Sequence, residues 1–132
     1  MTEPDTIRRQ VRSRLHEQGT LVLQLLRQRE LLRGSLFLRY GTCGKANCVC
    51  RTGRKHGPYS VLSSRSAGRG TFAYLDGDEL TRARELLGRH REFRRGLARL
   101  RRLNAEVVVL LRRYGQAVVR RGGERLGIAP GA

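Results

Sequence analysis

The chain has 132 residues, enough for one domain, and carries 28 Lys and Arg against 11 Asp and Glu, a formal charge of +17. All but two of those cations are Arg, while three Phe, four Tyr and no Trp exclude a thick core built on large rings. The longest apolar run, Val107 to Leu111, excludes a membrane-spanning helix, which needs roughly 18 or more such residues.

Positive charge on this scale opposes compaction unless an anion screens it, so a nucleic acid, an anionic surface or an acidic protein is the expected partner. The start, Met1-Thr2-Glu3-Pro4-Asp5, is polar and acidic and has none of the apolar core of a secretion signal. A cytoplasmic protein is expected, nucleoid-associated if it binds DNA.

Residues 3–33 form the first predicted element. Ile7, Val11, Leu15, Val22, Leu25, Leu26 and Leu32 recur at helical spacing, Thr2 and Asp5 are set as a capping box, and Pro4 falls in the tolerated first turn. Gly19 lies inside that pattern at a cost of about 1 kcal/mol relative to Ala, a place for the helix to kink.

Residues 34–75 change character. A Gly- and Cys-containing stretch runs to Gly57. Two short strands then follow, Pro58 to Arg65 and Thr71 to Leu75, joined by Ala67-Gly68-Arg69-Gly70, which predicts a β-hairpin. A hairpin alone is marginal in water, so it needs helices or a metal to hold it.

A second helix is expected over 76–121, with Asp76 and Glu79 as its capping pair and a flexible tail at 122–132 after Gly122-Gly123. Leu86, Phe93, Leu100, Val107 and Tyr114 repeat every seven residues. His90, Leu97, Asn104, Leu111 and Val118 are assigned to the companion series. Asn104 then either fixes register in a seam or simply faces solvent, and His90 is read as a packed or half-exposed side chain. The expected fold is mainly α with a small β-hairpin: a long coiled-coil-like helical hairpin, one domain over 1–132, carrying a Cys-rich zinc-stabilised head. The shorter first helix would leave residues from about 108 onward overhanging, to be covered by a homodimer through the long helix.

The chemistry concentrates in Cys43, Cys48, Cys50 and His56, spaced C-x4-C-x-C-x5-H. A Cys3His set closes the tetrahedral shell of structural zinc and leaves no open catalytic position. Because Cys-x-Cys on a straight strand would aim its sulfurs to opposite faces, the loop must bend there. A metal-free thiol cluster, a redox pair with a spare thiol and an incomplete iron-sulfur site are the alternatives.

Arg94, Arg95, Arg99, Arg101 and Arg102 all lie off the assigned heptad core, and Lys45, Arg51, Arg54 and Lys55 surround the Cys loop. Arg forks bond phosphate oxygens in pairs, so these nine residues are the expected nucleic-acid contacts. With few aromatics to stack on bases, duplex DNA is favoured over RNA. The competing reading is an assembly or adaptor subunit docking on an acidic protein. A membrane-surface role ranks below both, since the helix lacks a broad Trp- or Phe-rich face. No enzyme signature stands out, and the string Gly68-Arg69-Gly70-Thr71-Phe72-Ala73 sits between strands, the wrong context for a dinucleotide site. No catalytic residue is assigned.

Arg33-Gly34-Ser35-Leu36, Arg39, Cys43-Gly44-Lys45, Cys48, Cys50 and His56-Gly57-Pro58-Tyr59, followed by Leu62, resemble an uncharacterised family of small bacterial proteins, domain of unknown function 6788. The resemblance covers about residues 33–115. It implies an R-G-S-L lead-in, a C-G-K-x-x-C-x-C segment, an H-G-P-Y turn, a β-hairpin and a long helix, and it brings no activity. Ala46 stands where Pro is common and Ser60 where an aromatic is common, departures that spare the four candidate ligands.

Overall fold

The computed structural model describes residues 2–66 and 69–128. Its elements are helix α1 (Glu3–Leu25), strands β1 (Ser35–Gly41), β2 (His56–Ser66) and β3 (Arg69–Leu75), and helix α2 (Gly77–Arg125), with a short 3-10 turn at Val49–Arg51. They group into two compact units, Met1–Gln28 with Phe93–Ala132, and Arg29–Glu92, so that α2 contributes its two halves to different units.

In the helical unit α1 opens with the expected capping box: the Asp5 N–H donates to Thr2 Oγ1 and the Thr2 N–H to Asp5 Oδ2, 3.4 and 3.3 Å. The helix then pairs antiparallel with the second half of α2, as a descending ladder of contacts shows. Arg120 meets Glu3 at 2.9 Å, Arg8 donates to the Tyr114 hydroxyl at 2.8 Å, Arg14 meets Glu106 at 2.7 Å and Arg99 meets Glu17 at 2.7 Å. At the far end Gly96 leaves room for Leu25 and Leu21, so close that a Cβ there would lie 2.7 Å from the Leu25 side chain.

Three expectations change here. Leu100, Val107 and Tyr114 do face α1, but their companions are Gly96, Leu103, Leu110 and Ala117, one residue earlier than the series through Leu97, Asn104 and Leu111. Leu103, Leu110 and Ala117 are buried, whereas Asn104, Leu111 and Val118 are exposed. The predicted overhang beyond 108 is also absent, because the stagger brings Ile7 and the start of α1 beside residues 114–120. The end of α2 does not fray at Gly122-Gly123. Gly127, at φ +69°, closes a Schellman turn in which Ile128 N–H bonds Gly123 O and Gly127 N–H bonds Glu124 O, at 2.8 and 3.1 Å.

α1 ends at Leu25 rather than near residue 33. Leu26 caps it, Arg27 and Gln28 turn back on Gln24 and Leu25, and the following residues enter the sheet unit. There the Leu32 N–H donates to Leu86 O at 3.4 Å and Glu30 bonds Arg82 at 3.0 Å, tertiary partners that override the helical pattern.

The sheet unit holds a three-stranded antiparallel sheet in the order β1-β2-β3, not a two-stranded hairpin. β1, read from sequence as part of the loop, pairs Phe37 with Val61 and Arg39 with Tyr59. β2 pairs Val61 with Tyr74 and Ser63 with Phe72 on its other edge. Gly34 permits the entry to β1: at φ +153° a Cβ on it would collide with Ser63 O. Leu36 and Leu62 are half-buried, while Ala83 and Leu87 are the buried residues of this half of α2. Leu36 and Leu87 line a common groove. Of the expected turn, Ala67 and Gly68 lie outside the described residues.

Among the described residues no helix is long and apolar enough to cross a membrane.

Candidate functional site

The bend required at Cys-x-Cys is the 3-10 turn Val49–Arg51. The Cys48 N–H bonds Lys45 O, Arg51 N–H bonds Cys48 O, and Gly53 N–H bonds Val49 O at 2.7 Å, which curls the chain so that Cys48 and Cys50 share one side. Cys43 arrives two residues after β1, and His56 begins β2 opposite Gly41, where the strand register slips. Gly57 makes this approach possible, since at φ +121° a Cβ would lie 2.8 Å from Arg39 O.

The three thiols and the imidazole thereby converge. Their donor atoms lie within 4.8 Å of one another, with Cys43 Sγ 3.6 Å from Cys50 Sγ and Cys48 Sγ 3.2 Å from His56 Nε2. A tetrahedral site with metal–sulfur bonds of about 2.3 Å has ligand–ligand edges of roughly 3.8 Å, so these residues fit and could hold a metal ion. The polypeptide also prepares one of the sulfurs, that of Cys48, as an anion. The Cys50 backbone N–H, together with Cys43, Cys50 and His56 side chains, holds the Cys48 thiol down at about 6. The Cys43 N–H, 3.3 Å from Cys50 Sγ, pulls the Cys50 thiol down as well. Burial and the neighbouring Cys48 and Cys43 thiols outweigh it and push that group up.

The predicted basic residues divide by role. Arg51 is a brace: its guanidinium donates to Lys45 O and Cys43 O at 3.1 and 3.5 Å, tying the loop that carries the sulfurs. Lys45, Arg54 and Lys55 are exposed. In the helical unit Arg99 is bound to Glu17 through two nitrogens, so it belongs to the seam and not to an outward face. Arg94, Arg95, Arg101 and Arg102 are exposed and form no ion pair among the described residues.

A second feature of the sheet unit escaped the sequence reading. Phe37, Tyr59, Phe72 and Tyr74 share one sheet face, Arg39 donates to the Tyr74 hydroxyl at 3.1 Å, and a cleft of about 640 Å³ runs from Arg39, Tyr59 and Tyr74 to Cys43 and His56. The signal was the period-two spacing in Phe37-Leu38-Arg39, Tyr59-Ser60-Val61 and Phe72-Ala73-Tyr74, recognisable only once β1 is seen to be a strand.

The family described as Domain of unknown function (DUF6788) matches residues 5–85, more than half of the chain, which therefore belongs to it. The match starts in α1 and stops in the first turns of α2, so it includes the Cys loop and all three strands. No curated protein and no solved structure matches the chain.

Proposed function

We propose that this family member is a small nucleic-acid-binding protein that contacts duplex DNA through the phosphate backbone, with a structural zinc ion held by Cys43, Cys48, Cys50 and His56. The observation that carries the reading is where six of the eleven acids are spent, Asp76, Asp78, Glu79, Glu92 and Glu124 forming no ion pair among the described residues. Glu3, Asp5, Glu17, Glu30, Glu85 and Glu106 are all engaged in ion pairs within α1, along the helix seam or at the start of α2. Arg94, Arg95, Arg101 and Arg102 are left as an exposed row, with Lys45, Arg54 and Lys55 as further cations on the Cys loop. Exposed Arg with no protein acid is suited to phosphate oxygens.

Zinc is the metal of choice because three thiolates and an imidazole form one of its closed structural sets. Such a shell organises the loop and activates no water. Replacing Arg94, Arg95, Arg101 and Arg102 together by Gln, with Arg99 left on Glu17, should cut duplex affinity at least ten-fold and leave the circular dichroism unchanged. Unchanged affinity would refute the Arg row as the site.

A second reading is an adaptor that docks on an acidic protein, or on a second copy, through the helices. It is favoured by the open apolar groove lined by Leu15, Val22, Leu23 and Leu100 with Arg101 at its rim. If the same Gln variant lost a protein partner while keeping DNA, this reading would replace the first. Light scattering on Leu15→Glu reports separately on a dimer.

A further inference from the structure

Seven aromatic residues are the whole complement of the chain, and four of them meet on one face of the sheet. Strand pairing dictates this. Val61 lies at the centre of β2 with Phe37 opposite on β1 and Tyr74 opposite on β3, while Tyr59 and Phe72 follow on the same face at steps of two. The rings pack edge to face, Phe37 with Phe72 at 6.4 Å between centroids and Tyr59 with Tyr74 at 6.1 Å. Val61, at the centre of this face, is fully buried, yet Phe72 is itself 66% and Tyr74 59% exposed. Four neighbouring rings left this exposed around a single buried valine mark a docking surface rather than a core.

The surrounding charge selects what docks. From Leu31 to Leu75 the sequence contains no Asp or Glu, but it contains Arg33, Arg39, Lys45, Arg51, Arg54, Lys55, Arg65 and Arg69. Arg39 stands on the aromatic face itself, and the cleft beside it leads to the Cys loop with its exposed cations. An acidic peptide would use the charge and leave the flat rings idle. Unpaired nucleotides use both, since each base has a π-face and each linkage a phosphate.

We propose that this face, centred on Tyr59, Phe72, Tyr74 and Phe37, is a stacking platform for unpaired bases of single-stranded nucleic acid, with Arg39 and the loop cations on the adjoining phosphates. Bases inside a duplex are stacked on one another and offer no free face, so the site takes a different form of nucleic acid from the outer Arg row. It shares Lys45, Arg54 and Lys55 with the duplex reading and none of the helix residues.

The test is fluorescence anisotropy on the full chain purified with zinc, using a labelled mixed-sequence DNA single strand of roughly a dozen nucleotides and an abasic strand of the same length and charge. The wild type should bind the base-bearing strand at least ten-fold tighter than the abasic one. Phe72→Leu with Tyr74→Leu should bring the two affinities within about two-fold, and Phe72→Tyr should keep the discrimination. The Arg94, Arg95, Arg101 and Arg102 to Gln variant should keep it too, whatever becomes of its duplex binding, so the two readings fail separately. Equal affinity of the wild type for both strands overturns the platform, and needs no variant to fold. So does displacement of the base-bearing strand by polyglutamate at matched charge.

Discussion

Cys48 Sγ and His56 Nε2 lie 3.2 Å apart although one residue precedes a 3-10 turn as its N-cap and the other opens a strand. Both residues reach that position because the chain turns twice, at Val49–Arg51 and at Gly57. Metal affinity should therefore depend on all four ligands together. One zinc per chain is expected by elemental analysis of untagged protein. Cys48→Ser or His56→Ala should weaken it by more than about 100-fold, beyond the loss typical of a residue that merely orients a ligand. Zinc well below one per chain in the wild type would contradict the assignment.

Stripped of metal, the thiols should react unequally. Cys48 is held at about 6, first by the Cys50 N–H, while burial and neighbouring thiols push Cys50 above the ordinary thiol value. Alkylation followed by peptide mass spectrometry should label Cys48 with a midpoint near pH 6 and Cys50 only in alkaline solution. Equal profiles would show that the loop does not preorganise the site.

Leu103 and Asn104 are neighbours with opposite environments: Leu103 is wholly buried and Asn104 exposed. Leu103→Ala should destabilise the protein by about 2–5 kcal/mol in urea denaturation, and Asn104→Ala by less than about 0.5 kcal/mol. The reverse order would restore the companion series through Asn104.

Glu85 bonds Arg82 at 2.9 Å and lies beside Arg89; Arg82 first and Arg89 next hold its carboxyl below the usual 4.5. A lowered folded value means its stabilisation is complete above about pH 4.5 and disappears as pH falls through the depressed value. Thermal unfolding should show Glu85→Gln less stable than wild type at neutral pH and the difference closing as the pH falls through the depressed value. The effect is small because both partners are partly exposed. A gap that widens in acid would contradict the pairing.

Local signals were legible where local physics decides. The Thr2–Asp5 capping box and the cluster of Cys43, Cys48, Cys50 and His56, which could hold a metal, needed only short-range spacing and known ligand preferences. The helix seam was half legible: Leu100, Val107 and Tyr114 gave the repeat, but a helix rich in Leu and Val supports two companion series one residue apart. The presence of Gly96 and Ala117 at the true one, chosen by close approach of α1, hid it. β1 was missed because Ser35-Leu36-Phe37-Leu38-Arg39-Tyr40 alternates poorly, and its pairing with β2 spans a loop whose geometry depends on the Cys cluster. The end of α1 was overestimated for a related reason, since Glu30 and Leu32 find partners on α2 that no local pattern announces. Arg99 looked like an outer-face residue until Glu17 was placed opposite.

The most direct measurement is the salt dependence of duplex DNA binding by the zinc-loaded full chain. If about six phosphates are neutralised, log K should fall against log salt with a slope of roughly minus five. Replacing Arg94, Arg95, Arg101 and Arg102 by Gln should reduce the magnitude of that slope by about four. A shallow slope in the wild type, or the same slope in the variant, would contradict phosphate binding by the Arg row.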